Sequence, residues 1–259
     1  MGAAGRQPAL EVSDLKVAYG PKVAVQGVSF SINEGEIFGL LGPNGAGKTS
    51  TLSAIEGLVK PAAGSINVDG IDARAHPGDA RARVGVQLQS TSFQKELTIR
   101  ELVRLYSGLY GASRSKSVAD EHLEAVHLEE EAGKRFGQLS GGQQKRLALL
   151  IATLHDPSLV LLDEPTAGLD PQSRRQLWER IEHMRKTGRS VLLTTHSMEE
   201  AQAVCDRVAI IDHGKIVSLD TPAGLIAKHR DDPEVKRAAR GEVTLEDVFI
   251  GLTGSELRD

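Results

Sequence analysis

Ile37-Phe38-Gly39-Leu40-Leu41-Gly42-Pro43-Asn44-Gly45-Ala46-Gly47-Lys48-Thr49 runs a short unbroken apolar segment straight into a glycine-rich turn that ends on a lysine and a hydroxyl. A continuous apolar run of this length is typical of a strand covered on both faces. Leu52, Ile55 and Leu58 then recur at a spacing of three, which predicts a helix ending between Gly57 and Pro61. The unit is therefore buried strand, glycine loop, helix. Gly42, Gly47, Lys48 and Thr49 satisfy the phosphate-loop spacing G-x-x-x-x-G-K-[ST] in the context that spacing requires. Glycine is needed because backbone N–H groups must approach phosphate closely with unusual dihedrals, while the helix N-terminus adds partial positive charge. Gly42, Pro43, Asn44, Gly45, Ala46, Gly47, Lys48, Thr49 and Ser50 are the candidate nucleotide cradle. Lys48 is expected to reach the β- and γ-phosphates, and Thr49 to offer its hydroxyl to Mg²⁺. With glycine at average abundance, such a match arises by chance in about one chain in a hundred of this length.

On the N-terminal side, Leu10, Val12, Leu15 and Val17 lead to Tyr19, and Val23, Val25, Val28, Phe30 and Ile32 recur at nearly even spacing. Two strands broken by a turn at Gly20-Pro21 follow from that pattern. On the C-terminal side, 65–69 and 83–88 read as strands. From about 90 to 140 the texture is helical, with Leu97, Leu102, Leu105, Leu109, Val118, Leu123 and Val126 spaced by helical intervals, predicting a separate helical subdomain. A helix from Gly141 to Leu154, a strand over 159–162, a helix over 172–184, a strand over 190–195 and a helix from Met198 alternate strictly. That alternation predicts an α/β fold with a parallel sheet and helices on its faces. Val208–Ile211 and Ile216–Leu219 read as a hairpin, followed by a charged linker and a short amphipathic end.

Leu159-Val160-Leu161-Leu162-Asp163-Glu164-Pro165 ends a second buried strand on two carboxylates. Ligands in open α/β sheets sit at the carboxyl edge of the strands, so this pair lies where a phosphate site is built. Asp163 is the expected Mg²⁺-side carboxylate, and Glu164 the candidate to orient and deprotonate an attacking water.

Composition narrows the partners. The chain has 259 residues, 40% of them hydrophobic, enough for one globular unit or two intimate subdomains. With 31 Lys and Arg against 35 Asp and Glu, the net charge of −4 gives no positive field for nucleic acid. Crossing a bilayer takes about 20 apolar residues, and the longest stretch, 147–154, is about half that, so no direct bilayer insertion is expected. The N-terminus lacks an apolar leader core and a myristoylation pattern, which leaves a cytoplasmic location as the expectation. Cys205 stands alone and reads as a small buried hydrophobe inside an apolar-periodic stretch.

Leu139-Ser140-Gly141-Gly142-Gln143 is a string that a generic phosphate-loop enzyme does not need. It resembles the signature motif of the ATP-binding cassette (ABC) family. In chain order the resemblance continues with Gln89 at the Q-loop position, Ala167-Gly168-Leu169-Asp170 as the D-loop and His196 as the switch histidine, and it covers about residues 10–219. It implies a RecA-like phosphate-loop NTPase core with an N-terminal antiparallel β subdomain and an inserted helical subdomain. The implied division is an ATPase domain over 9–240, with its helical part at about 90–140, and a short extension over 241–259. By resemblance, ATP and Mg²⁺ are the ligands and Tyr19 stacks on adenine. Gln89 completes the Mg²⁺ or water shell, Glu164 and His196 serve hydrolysis, and Asp170 links two halves. Ser140, Gly141, Gly142 and Gln143 would form a second phosphate surface, closing on nucleotide held by the phosphate loop of another cassette in a head-to-tail dimer. Leu88 replaces the proline usual before the Q-loop glutamine.

The region between Lys48 and Ser140, about 90 residues, leaves no room for the long heptad insertion of a chromosome-organising head, and a single phosphate loop argues against a two-cassette translation factor. A separate ATPase subunit is what remains, pairing with an integral-membrane permease on the inner face of the cell membrane. Glu96-Leu97-Thr98-Ile99-Arg100-Glu101-Leu102, Tyr106, Tyr110-Gly111 and Leu245-Glu246-Asp247-Val248-Phe249 resemble the ABC-2 group of multidrug and polyketide exporters. The alternatives are an importer ATPase and a soluble cassette of the iron–sulfur assembly type.

Overall fold

Alternation of apolar and polar side chains builds the first layer of the computed structural model, which describes residues 7–89 and 93–254. Three expectations touch residues outside these: the leaderless start over 1–6, the opening of the helical region at 90–92 and the end of the extension at 255–259. β1 (Leu10–Tyr19) and β2 (Lys22–Ile32) pair as an antiparallel hairpin. Leu10, Val12, Leu15 and Val17 are buried on β1, although the step from Val12 to Leu15 is odd. A register shift there, with Asp14 at φ 48°, returns Leu15 to the buried side.

The second layer is built around β3 (Ile37–Leu41), buried at all of its positions as the unbroken apolar run requires. From its end, α1 (Lys48–Ile55) leads to β4 (Ala63–Val68) and β5 (Ile71–Asp72), which complete the first sheet in the order β2-β1-β4-β5. After α2 (Pro77–Ala82) the chain enters β6 (Val84–Gln87), then α3 (Ile99–Leu109), α4 (Lys116–Glu124) and α5 (Gly141–Thr153). Alternation follows through β7 (Leu159–Asp163), α6 (Pro171–Lys186), β8 (Ser190–Thr195), α7 (Met198–Val204), β9 (Arg207–Asp212) and β10 (Lys215–Asp220). The large sheet runs β10-β9-β3-β8-β7-β6, parallel except for the β9–β10 hairpin.

The two-residue period of β3 sends its side chains into two cores. Phe38 and Leu40 join the first sheet and α1, while Ile37 and Leu41 join α6, α7 and the C-terminal helices. A third core, with Phe93, Ile99, Leu102, Leu123 and Phe136, unites α3 and α4 with α5, as a helical subdomain requires. Gly39 lies under Cys205, whose Sγ would be 2.8 Å from an added Cβ. Burial pushes the Cys205 thiol well above its ordinary range, which suits a small apolar filler.

Two expectations are corrected. The helix after the glycine loop stops at Ile55, because Gly57 turns left-handed at φ 79°, and Leu58, read as part of the helical stripe, is exposed. The expected charged linker is folded into α8 (Pro222–His229) and α9 (Pro233–Ala238), which bury Leu225 and Val235. Thr221-Pro222 and Asp232-Pro233 each place a capping side chain before a proline at the first helical position, a start signal that the high charge of the segment obscured. α10 (Leu245–Thr253) is the amphipathic end, capped by the Thr244–Asp247 box and packed on α9.

Leu245, Val248 and Phe249 of α10 are completely buried in the same core as β3 and β8. Phe249→Ala is expected to cost about 3–5 kcal/mol of stability, read as a lower urea midpoint at unchanged slope. A loss below about 1 kcal/mol would mean that α10 is only loosely attached.

Candidate nucleotide site

Because β3, β7 and β8 are parallel neighbours, the segments leaving their carboxyl ends emerge along one edge of the sheet. These segments begin at Gly42, Glu164 and His196. Local chemistry shapes the first of them. A Cβ at Gly42 would lie 2.4 Å from the Ile211 carbonyl oxygen, and one at Gly47, where φ is 108°, would lie 2.7 Å from that of Ala24. No other residue fits either place. Gly47 is also the N-cap of α1 and supplies no side-chain cap. Each helix from α3 to α10 is capped by a Ser, Thr or Asp side chain. The first turn of α1 therefore keeps N–H groups with neither intrahelical nor side-chain partners, an anion site by construction.

Lys48 is buried, and its Nζ donates to the carbonyl oxygens of Gly42 at 2.6 Å and Pro43 at 3.3 Å. Burial lowers its pKa, opposed by Glu164, whose Oε1 lies 3.6 Å away. A desolvated cation is thus held at the mouth of the loop. Beside it, Thr49 Oγ1 donates to Asp163 Oδ2 at 3.2 Å. Asp163 is buried, and its Oδ1 accepts from Thr194 Oγ1 at 2.5 Å. A hydroxyl and a carboxylate in contact at a strand end offer oxygen ligands suited to a hard divalent cation.

Glu164 is held in the left-handed region at φ 44°, a conformation that costs a residue with a Cβ about 1–3 kcal/mol. Its N–H donates to Thr194 O at 3.2 Å and Thr194 Oγ1 at 3.0 Å, which fixes the turn. The carboxylate then meets groups from three other segments. Lys48 Nζ and His196 Nδ1, at 3.3 Å, face Oε1, and Gln89 Nε2 donates to Oε2 at 3.3 Å. The structure therefore brings together Lys48, Gln89, Glu164 and His196, with Thr49 and Asp163 alongside.

Ser140, Gly141, Gly142 and Gln143 are placed apart from this cluster: among the described residues no hydrogen bond or ion pair joins 140–143 to 42–50. Ser140 caps α5, its Oγ accepting from Gln143 N at 3.3 Å while Gln143 Oε1 accepts from Ser140 N at 2.9 Å. A Cβ on Gly142 would lie 2.5 Å from Ser173 Oγ, so the start of α5 lies against that of α6. Asp170 caps α6, accepting from Gln172 N and Ser173 N at 3.0 Å and from Ser173 Oγ at 2.6 Å; the Ser173 bonds hold its carboxyl below the usual range. Tyr19 is 48% exposed at the end of β1. Its hairpin partner β2 carries the Ala24 carbonyl that crowds Gly47.

The sequence model of the ABC transporter family matches residues 25–167, more than half of the chain. This chain belongs to the ABC transporter family. The cassette is 36% identical over 299 aligned residues to Nod factor export ATP-binding protein I of Burkholderia orbicola (strain AU 1054), across 96% of this chain and 98% of that one. It is 38% identical over 234 residues to the linearmycin resistance ATP-binding protein LnrL of Bacillus subtilis (strain 168), across 90% of this chain and 75% of that one. Among solved structures, a dimeric ATP-binding cassette in a post-hydrolysis state with ADP and Pi superposes with a TM-score of 0.74 at 27% identity, covering 82% of this chain and 98% of that one. The chain is an ATP-binding and ATP-hydrolysing cassette. Among the described residues no helix of the cassette is long and apolar enough to cross a membrane.

Two contributors to the cassette's site escaped the sequence reading. Thr194 connects Asp163 to the Glu164 backbone, and the signal for it is a polar pair, Thr194-Thr195, that follows the apolar run 191–193 in a fully buried strand. Lys145 of α5 donates to the Gln89 carbonyl at 3.0 Å, and no local pattern marks it. Thr194→Val keeps the side-chain shape and removes both hydroxyl bonds. It is expected to destabilise the cassette by about 1–3 kcal/mol in a denaturant titration, because the buried Asp163 carboxylate loses a donor.

Proposed function

We propose that this cassette is the ATPase subunit of an exporter of amphipathic compounds, bound to a separate integral-membrane permease at the inner face of the cell membrane. The convergence of Lys48, Gln89 and His196 on Glu164 carries the catalytic part of the reading. Export is supported by the names of the two relatives, one a Nod factor export protein and the other a linearmycin resistance protein. The permease reading also rests on the lack, among the described residues, of a membrane-spanning helix in the cassette itself.

The residues divide the work by charge and position. The uncapped first turn of α1, entered from Gly47, offers its backbone N–H groups to phosphate oxygens, and desolvated Lys48 meets their charge. Thr49 and Asp163, with Gln89 reaching in beside Glu164, would hold Mg²⁺, which would neutralise charge on the phosphates. Glu164 orients water and accepts its proton, and the bonds that its own backbone N–H donates to Thr194 fix the turn from which that side chain projects. His196 Nδ1 lies 3.3 Å from Glu164 Oε1, where the histidine would contact the terminal phosphate and the attacking water. Tyr19 offers an aromatic face to the base.

Ser140, Gly141, Gly142 and Gln143 lie outside this cluster, so within the reading they serve the nucleotide of a second cassette, with Asp170 at the boundary. The dimeric neighbour, bound to ADP and Pi, supports such an assembly. Two-fold symmetry would then give two composite sites. Binding closes the pair, hydrolysis releases it, and the Lys145–Gln89 contact supplies a route from the nucleotide edge to the helical subdomain.

Glu164→Gln is expected to retain ATP affinity while turnover falls roughly 10²- to 10⁴-fold, since the shape survives and the base is lost. Unaltered turnover of the purified protein in a phosphate-release assay would reject the assignment. Lys48→Ala is expected to weaken ATP binding itself in a fluorescence titration; unchanged affinity would count against the cradle. Co-isolation of the cassette with a polypeptide of several membrane spans, and outward movement of an amphipathic probe by the pair, would test export. Recovery only in a soluble complex would overturn it.

A further inference from the structure

Glu200, in α7, is 1% exposed, yet it is a carboxyl group that nothing in the hydrolytic scheme above uses. Its partners come from three elements. Trp178 Nε1 of α6 donates to Oε1 at 3.2 Å, and the hydroxyls of Thr195, the last residue of β8, and Thr166, in the turn after β7, face the same carboxyl as further donors. Burial pushes this carboxyl above the ordinary range, and the three hydrogen bonds pull it back. Burying such a group without all of its partners costs free energy, so its place ties the three donors to one another.

Two of these donors flank the residues assigned to hydrolysis. Thr195 immediately precedes His196, and its Oγ1 also accepts from Ser197 N at 2.9 Å, while Ser197 Oγ caps the N–H of Glu200 itself at 3.3 Å. The backbone on both sides of His196 is therefore fastened to Glu200. Thr166 lies two residues after Glu164, in a turn closed by Ala167 N to Glu164 O at 3.2 Å and Leu169 N to Thr166 O at 3.1 Å. That turn leads directly into Asp170.

We propose that Glu200 is a positioning residue for ATP hydrolysis: its buried carboxyl joins the loop bearing His196 to the turn bearing Glu164, and so fixes the contact between those two side chains. The proposal rests on the assignment of Glu164 and His196 to hydrolysis. It makes the 3.3 Å contact between Glu164 Oε1 and His196 Nδ1 depend on a residue buried behind both side chains' loops. The carboxyl acts through hydrogen-bond acceptors in fixed places, which an amide keeps in part and a methyl group lacks.

The test is steady-state ATPase kinetics and ATP affinity of the full chain for Glu200→Ala and Glu200→Gln. Glu200→Ala is expected to lower kcat roughly 10- to 100-fold, the scale on which small misplacements of catalytic groups act, while leaving ATP affinity within about twofold. Glu200→Gln, which keeps one acceptor for the flanking donors, is expected to recover most of that loss. Should Glu200→Ala not fold, Thr195→Val and Trp178→Phe replace it. Thr195→Val, which cuts the arm to His196, is then expected to lower kcat, and Trp178→Phe, which cuts only the arm to α6, to leave it near the starting value. Equal effects of those two variants, or an Ala variant with unchanged kcat, or affinity and kcat falling together, would overturn the proposal. Glu164→Gln run in parallel separates the layers: if it turns over normally, the underlying assignment has failed rather than the role of Glu200.

Discussion

The site depends on one geometric constraint: β3, β7 and β8 lie side by side and point the same way. Parallel pairing needs both faces of a sheet covered, and the unbroken apolar runs of these strands meet that need with a core on either side. Once the strands are aligned, the glycine loop, the Asp163-Glu164 pair and His196 have to emerge at one edge. The carboxylate of Glu164 can then be reached by Lys48, Gln89 and His196 without any element leaving its own layer.

Free energy is stored at that edge rather than spread evenly. Glu164 holds a left-handed backbone, Lys48 is desolvated and Asp163 is buried. Each is costly alone and each is matched by a neighbour: Thr194 fastens the Glu164 turn and donates to Asp163, while Glu164 and two carbonyl groups surround the Lys48 ammonium. Strain and burial of this kind persist only where surrounding structure over-determines them. The α1 N-terminus, entered through Gly47 at φ 108° with no side-chain cap, lies at the same edge.

The N-terminal ends of α1 and α5 differ in kind. The α1 end is open, whereas the α5 end is closed by its own Ser140–Gln143 box and rests against Ser173 beside Asp170. Under the proposed reading their separation within one chain gives a second cassette a role, and the Lys145–Gln89 contact joins α5 to the edge that carries Glu164. Glu200 adds a link beneath that edge, between the loops that carry Glu164 and His196.

What could be read from the residues was what is encoded locally. The period-two stripes of β1 and β2, the buried run of β3, the glycine spacing of 42–49 and the strict alternation after Gly141 gave the α/β class, the phosphate loop and the order of the elements. The family resemblance carried by 139–143 and 167–170 extended this to Gln89, His196 and the expectation of a second cassette. Where local rules competed, the reading slipped: Leu58 fitted the helical stripe, but Gly57 ended the helix first, and the charge after Leu219 hid two capped, proline-started helices. Tertiary structure alone decided that Thr194 serves Asp163, that Lys145 reaches Gln89, and that Glu200 gathers Thr166, Trp178 and Thr195. The reason is physical: which side chains meet depends on strand order and on the crossing of helices over the sheet. Those arrangements are set by how separate apolar faces bury one another, and no short window of sequence contains them.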